Sequence, residues 1–190
     1  MGVLLGCTYW GLLPFSALFL VISSLSLWEF YSLSEKARIH PQKIYGMLVG
    51  AALYISNSLM ALNVCIEKIV LIKYPLWVSI FIVELFRKKE EPLKNIAVTI
   101  VGIIYITMPF LLLNKITVHE GVYDYRAMFG IYFLLWCYDA GAYLVGSAVG
   151  RHKLFPSISP GKSWEGSIGG ALISVGIVFI ISAWYPSLTF

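Results

Sequence analysis

The chain has 190 residues, of which 59% are hydrophobic and 13% are charged, with a formal net charge of +4. Soluble domains carry about 25% charged residues, so this chain lacks the side chains to cover a water-facing surface, and it is far too hydrophobic for a disordered one. A mean hydropathy of +0.81 and an aromatic share of 15%, suited to rings at membrane–water boundaries, point to a polytopic membrane protein.

Residues 1–28 hold no charged side chain, a run longer than the ~20 residues that cross a bilayer. Gly11 and Pro14 interrupt it, which predicts the end of one helix over 1–10 and a complete helix over 12–33. No basic region precedes the run, against a cleaved signal peptide, and a start in mid-helix reads as an incomplete N-terminus. Uncharged runs follow over 44–66, 95–114 and 166–190. A weaker span covers 69–86, with Lys73 and Glu84 near its ends, and 127–150 is broken only by Asp139. The expected fold is all-α, a transmembrane helical bundle of about six full spans plus an N-terminal partial span. It forms a single integral-membrane domain over 1–190. No internal repeat supports an inverted-repeat transporter.

Ten of the 14 basic residues fall in loops 34–43, 87–94 and 150–163, and the alternate set holds Lys68, Lys73, Lys115 and Arg126. The positive-inside rule places the first set in the cytoplasm. Orientation therefore explains the excess of positive charge, and no nucleic-acid partner is expected. Cys7, Cys65 and Cys137 are far apart and lie in or beside apolar runs, without the spacing of a disulfide framework or zinc site.

An ionisable residue inside a span is a functional candidate, because placing one near the bilayer centre costs roughly 2.5–3.5 kcal/mol. Asp139 shares a helical face with Trp136, Tyr143, Gly146 and Gly150, so it should face a wet cavity or a neighbouring helix. Gly146 and Gly150 have the spacing that lets helix backbones approach closely. The loop that follows carries Arg151, His152, Lys153 and Lys162, with a turn expected at Pro160-Gly161. Ser163 is placed to cap the next helix, and a helix N-terminus beside cations suits an anion, phosphate above all. Gly161-Lys162-Ser163 is not a P-loop, since Pro156 stands where that motif needs its first glycine. Glu165 favours the helix dipole and lies three residues from Lys162, which it could orient. Glu29 reads as an interfacial anchor, and Glu84 as a partner of Arg87 or Lys88. His152 lacks an evident partner that would make it a base, and nothing singles out His40 or His119.

Taken together, these residues resemble the phosphatidate cytidylyltransferases, also called CDP-diacylglycerol synthases. The resemblance runs through Asp139, Ala142, Tyr143, Gly146, Gly150, Arg151, His152 and Lys153. It continues through Ile158, Ser159, Pro160, Lys162, Ser163, Glu165, Gly166, Gly169 and Gly170. The Leu27–Tyr31 patch is similar to that family's early helix end. Ser147 departs from it, standing where the family often has a basic residue. The family's C-terminal signature, whose acidic residues are expected to hold the catalytic metal, is absent, so the chain reads as a fragment.

The resemblance implies transfer of a cytidylyl group from CTP to phosphatidate, giving CDP-diacylglycerol and pyrophosphate, with Mg²⁺ as cofactor. Asp139, Lys162 and Glu165 are then the expected catalytic residues, and Tyr143, Arg151, Lys153, Ser159 and Ser163 the substrate-binding ones. Lys162 and Ser159 would meet the triphosphate, and Arg151 and Lys153 either phosphate. Asp139 and Glu165 would each serve the metal or position a lysine. The implied setting is the bacterial inner membrane, with membrane lipid and a homodimer as further partners. The competing readings are a transporter or channel using Asp139, and an inactive fragment of the enzyme.

Overall fold

A computed structural model describes residues 1–61, 66–119 and 122–184. Cys65 and the end of the run 166–190 lie outside the described residues. The chain divides into two compact units, Met1–Met128 and Phe129–Phe190.

Helices stand at every apolar run of the first unit: α1 (Gly2–Trp10), α2 (Leu12–Lys36), α3 (Lys43–Ala61) and α4 (Ile66–Arg87). The α1–α2 break falls at Gly11, whose φ of 131° is closed to most L side chains. After α4 the chain turns through Lys88 and Glu91, both at positive φ. It re-enters helix at Pro92, a residue preorganised for the first helical position. α5 (Pro92–Gly102), a π-helical turn (Ile103–Thr107) and α6 (Met108–Ile116) run on as one element. A short hairpin of β1 (Val118–His119) and β2 (Val122–Tyr123) leads to α7 (Tyr125–Val149), within which the unit boundary falls.

The second unit continues with a hairpin of β3 (Lys153–Phe155) and β4 (Ser159–Ser163), then α8 (Trp164–Trp184). The fold is therefore mostly helical, but the two hairpins qualify the all-α expectation. They pair backbone groups in connecting segments, where hydrophobic periodicity gives no signal. Among the described residues, three helices are long and apolar enough to cross a membrane: Leu12–Lys36, Pro92–Ile116 and Tyr125–Val149.

Val49, Leu53, Ile80, Ile96 and Ile103 form the apolar core of the first unit. Beside it lies a buried polar cluster centred on Glu84, which is 3% exposed. Arg87 Nη1 donates to Glu84 Oε2 at 2.7 Å, Gln42 Nε2 to the same oxygen at 2.8 Å, and Asn95 Nδ2 to Oε1 at 2.9 Å. Arg87 also donates to the carbonyls of His40 and Pro41. The expected Glu84–Arg87 pair is thus one edge of a network joining α4, α5 and the α2–α3 loop. Tyr31 extends it, its hydroxyl donating to the Thr99 carbonyl at 2.8 Å. Glu29 is exposed beside Trp28, as an interfacial anchor would be. Lys43 Nζ stands 3.8 Å over the Trp28 ring and 3.2 Å from Glu35 Oε2.

Removing one member of a buried charged network strands its partners. Glu84→Ala should cost about 2–4 kcal/mol, and Glu84→Gln, which keeps the volume and one acceptor oxygen but sets its amide nitrogen against a donor, should cost less than the alanine change. Thermal unfolding of both variants in detergent checks this, and an alanine variant that melts like the parent would refute it.

Candidate functional site

The site lies in the second unit and starts from a contact between two glycine-lined helices. A Cβ added at Gly166 of α8 would sit 2.7 Å from the Ala142 carbonyl oxygen and 2.9 Å from Gly146 Cα, both on α7. One at Gly170 would meet the Tyr138 carbonyl at 2.7 Å. The glycines therefore act as expected, admitting backbone-to-backbone packing.

That packing brings the start of α8 against the end of α7, and the hairpin spans the gap. β3 and β4 are antiparallel, pairing Lys153 with Ser163 and Phe155 with Ser159. The Trp164 N–H donates to the His152 carbonyl at 2.9 Å and closes the hairpin's base. Ser163 caps α8 as predicted: it is buried, and its Oγ accepts the Gly166 N–H at 3.2 Å.

Glu165 does not turn to Lys162. Its Oε1 lies 2.6 Å from His152 Nδ1, and its carboxylate accepts the N–H groups of Arg151 and His152 at 3.2 Å. The proton donated by His152 is the chief cause that holds the Glu165 carboxyl down to about 2 from an ordinary 4.5. An ionised carboxylate only accepts, so Nδ1 carries a proton and Nε2 is left as the outward nitrogen. His152 is 81% exposed at its side chain and Glu165 27%, so the pair is reachable from solvent. Sequence reasoning set His152 aside for want of a partner. The partner lies 13 residues away across the hairpin, a separation that only the strand register makes short.

With Glu165 engaged by His152, the cations of the hairpin are left over. Arg151, Lys153 and Lys162 are exposed, and among the described residues none forms an ion pair. Lys153 is level with Ser163 in the hairpin register, which sets it beside the strand position of Lys162. Ser159 is half-buried at the start of β4. Three unpaired cations, a histidine and a capped helix start make a surface complementary to phosphate.

Asp139 and Tyr143 lie one turn apart on α7 and are exposed. Tyr138, Gly141, Ala142, Val145 and Gly146 are α7 residues at the glycine contacts with α8. Asp139 sits at the edge of that stripe, and among the described residues its carboxylate has no hydrogen-bond or ion-pair partner. The expected contact with a neighbouring helix is therefore not seen. No group of three or more His, Cys, Asp or Glu residues that could hold a metal ion occurs among the described residues.

Residues 1–189 match the cytidylyltransferase family. The chain belongs to that family. Its curated relatives include a phosphatidate cytidylyltransferase of Haemophilus influenzae, 42% identical over 62 residues, which are 33% of this chain and 22% of that protein. Phosphatidate cytidylyltransferases of Staphylococcus epidermidis and Staphylococcus aureus are 31% and 34% identical over 94 and 88 residues. Those matches cover 50% and 46% of this chain and 35% and 32% of the relatives. The chain thus spans a fifth to about a third of the relatives it matches. Membership of the cytidylyltransferase family does not favour the transporter reading of Asp139.

The folded carboxyl of Glu165 titrates below its unfolded value, so the contact contributes stability above pH 4.5 and loses it as pH falls toward about 2. The ¹³Cδ signal of Glu165 should titrate near the lower value in the parent chain and move back toward 4.5 in His152→Ala. An unmoved midpoint would show that the ring is not the cause.

Proposed function

We propose that this chain carries part of the site at which a cytidylyl group passes from CTP to phosphatidate, giving CDP-diacylglycerol and pyrophosphate. The observation that carries the reading is the β3–β4 hairpin, which presents three unpaired cations beside a capped helix start in a member of the cytidylyltransferase family.

A phosphate oxygen of the lipid attacks the α-phosphorus of CTP, and the bond from that phosphorus to the bridging oxygen breaks as pyrophosphate leaves. A phosphate monoester is largely ionised at neutral pH, its second pKa being about 6, so the nucleophile needs no base. The obstacle is repulsion between two anions, and fixed cations offset it. Lys162 and Ser159 are assigned to the triphosphate, and Arg151 and Lys153 to either phosphate. Ser163, assigned with these residues to the substrate, spends an oxygen lone pair on the Gly166 N–H and acts by holding the start of α8 in place beside the cations. Tyr143 is assigned to the lipid headgroup. Glu165 is a positioning residue: it holds the His152 ring and the Arg151 and His152 amides in place.

Cytidylyltransferases generally use a divalent metal, and Mg²⁺ is the ion assigned here, supplying further neutralisation of the triphosphate. Asp139 is the carboxylate free to join it. A lone carboxylate does not make a metal site, so no step is drawn through the ion.

The chain is an integral membrane protein in this reading, with about six spans in one domain and loops 34–43, 87–94 and 150–163 in the cytoplasm of a bacterial inner membrane, where CTP is available. The ten-to-four distribution of basic residues supports that orientation. Leu172, Val175 and Phe179 form an exposed apolar stripe on α8, suited to lipid or to a second copy in a homodimer.

The test is retention of radiolabelled CTP by the chain in lipid nanodiscs, followed by phosphatidate-dependent release of pyrophosphate. Lys162→Ala should weaken CTP retention about tenfold or more, the scale of one charged phosphate contact. Unchanged retention would remove Lys162 from the triphosphate site.

A further inference from the structure

We propose that the first unit holds a second anion site, a pocket for the headgroup of an anionic phospholipid where Lys73 of α4 and Lys115 of α6 line one cavity. The cavity has a volume of about 230 Å³ and is also lined by Asn57, Trp77, Ile103 and Leu111. Every one of these residues lies in the first unit, and none is among those assigned to CTP, so the inference stands apart from the cytidylyl reading.

Two cations line this cavity with no carboxylate partner among the described residues. Lys115 is in the last turn of α6, where the helix dipole favours a cation. Lys73 has no such support. Its ammonium donates to the thioether of Met60 at 3.3 Å, and sulfur is a weak acceptor. Among the described residues neither lysine pairs with a carboxylate. Two like charges lining one mostly apolar cavity repel each other, and an anion between them removes the repulsion while supplying strong acceptors.

The walls select an amphiphile over a free ion. Apart from Asn57 and the two lysines, the lining is apolar or aromatic, and Trp77 offers the amphipathic ring common at membrane interfaces. A space of this size takes a phosphate headgroup, not acyl chains. The chains have a route outward: Leu112, at the cavity's edge, is 55% exposed, and Tyr74 and Val78 are exposed along α4.

Native mass spectrometry of the full chain in detergent tests the proposal, with dioleoyl phosphatidylglycerol and dioleoyl phosphatidylcholine as probes. The parent chain should retain the anionic lipid over the zwitterionic one. The Lys73→Gln/Lys115→Gln double variant should lose that preference about fivefold or more, while Lys73→Arg/Lys115→Arg and Lys162→Ala keep it. Lys115→Glu gives Lys73 its missing carboxylate, so it should raise the melting temperature while abolishing the lipid adduct. That variant keeps the test decisive should the double glutamine variant not fold. An undiminished phosphatidylglycerol adduct in the double glutamine variant or in Lys115→Glu overturns the site. Displacement of the lipid by millimolar inorganic phosphate overturns the lipid as its occupant.

Discussion

A carboxylate buried in a chain this apolar must find its donors within the chain, and the first unit is organised around meeting that demand at Glu84. Water is not at hand to complete a half-made network, and an unpaired charge there would cost several kcal/mol. Glu84 therefore takes one donor each from Gln42, Arg87 and Asn95, drawn from a loop and two helices. Arg87 in turn ties down the His40 and Pro41 carbonyls, and Thr99 accepts from Tyr31 while its hydroxyl takes the Gln42 N–H. The surrounding small residues follow from this: a Cβ at Gly46 would lie 2.7 Å from the Tyr31 hydroxyl oxygen, and one at Gly102 2.5 Å from its ring. The apolar core supplies bulk, and the polar cluster fixes which segments meet.

The second unit meets the same demand differently, with consequences for chemistry. Glu165 is satisfied by one side chain and nearby backbone amides, all within the hairpin and the helix start it caps. That local solution requires α7 and α8 to touch at their glycines, because the hairpin closes only if the helix ends are adjacent. It also uses up the carboxylate without using the lysines or the arginine. Carboxylates satisfied by the chain and cations left to a ligand are what an anion-binding surface needs. In the first unit, Glu84 takes three donors, while among the described residues Lys73 and Lys115 have no carboxylate partner.

The helices are legible because apolar helices are written as uncharged runs, and Gly11 and Ser163 mark two of their starts by local chemistry. The glycine contact was legible from spacing alone. What escaped was pairing across turns. Sequence gave His152 no partner because no periodicity links it to Glu165; the irregular register of β3 on β4 does. In sequence Glu84 pairs with either Arg87 or Lys88; the structure selects Arg87 and adds Gln42 and Asn95, which approach from segments that sequence proximity does not link. Glu165 is three residues from Lys162, yet its carboxylate meets His152. Between the two the chain passes from the end of β4 at Ser163 into α8 at Trp164, and the hairpin register rather than sequence nearness brings His152 to the helix start.

Asp139 marks where helical reasoning reaches its resolution. Its i+7 relation to Gly146 leaves the two within about 20° of one direction. Gly146 is itself at the edge of the stripe that meets α8, whose other members include Tyr138, Gly141, Ala142 and Val145. Asp139 is therefore exposed, in a helix long and apolar enough to cross a membrane. Leaving it against hydrocarbon would cost roughly 2.5–3.5 kcal/mol, which the glycine contact beside it does nothing to offset. Whatever meets this edge of α7 must bring positive charge or hydrogen-bond donors. Tyr143, one turn along, is exposed on the same side of the helix and adds a hydroxyl that can donate to or accept from such a partner.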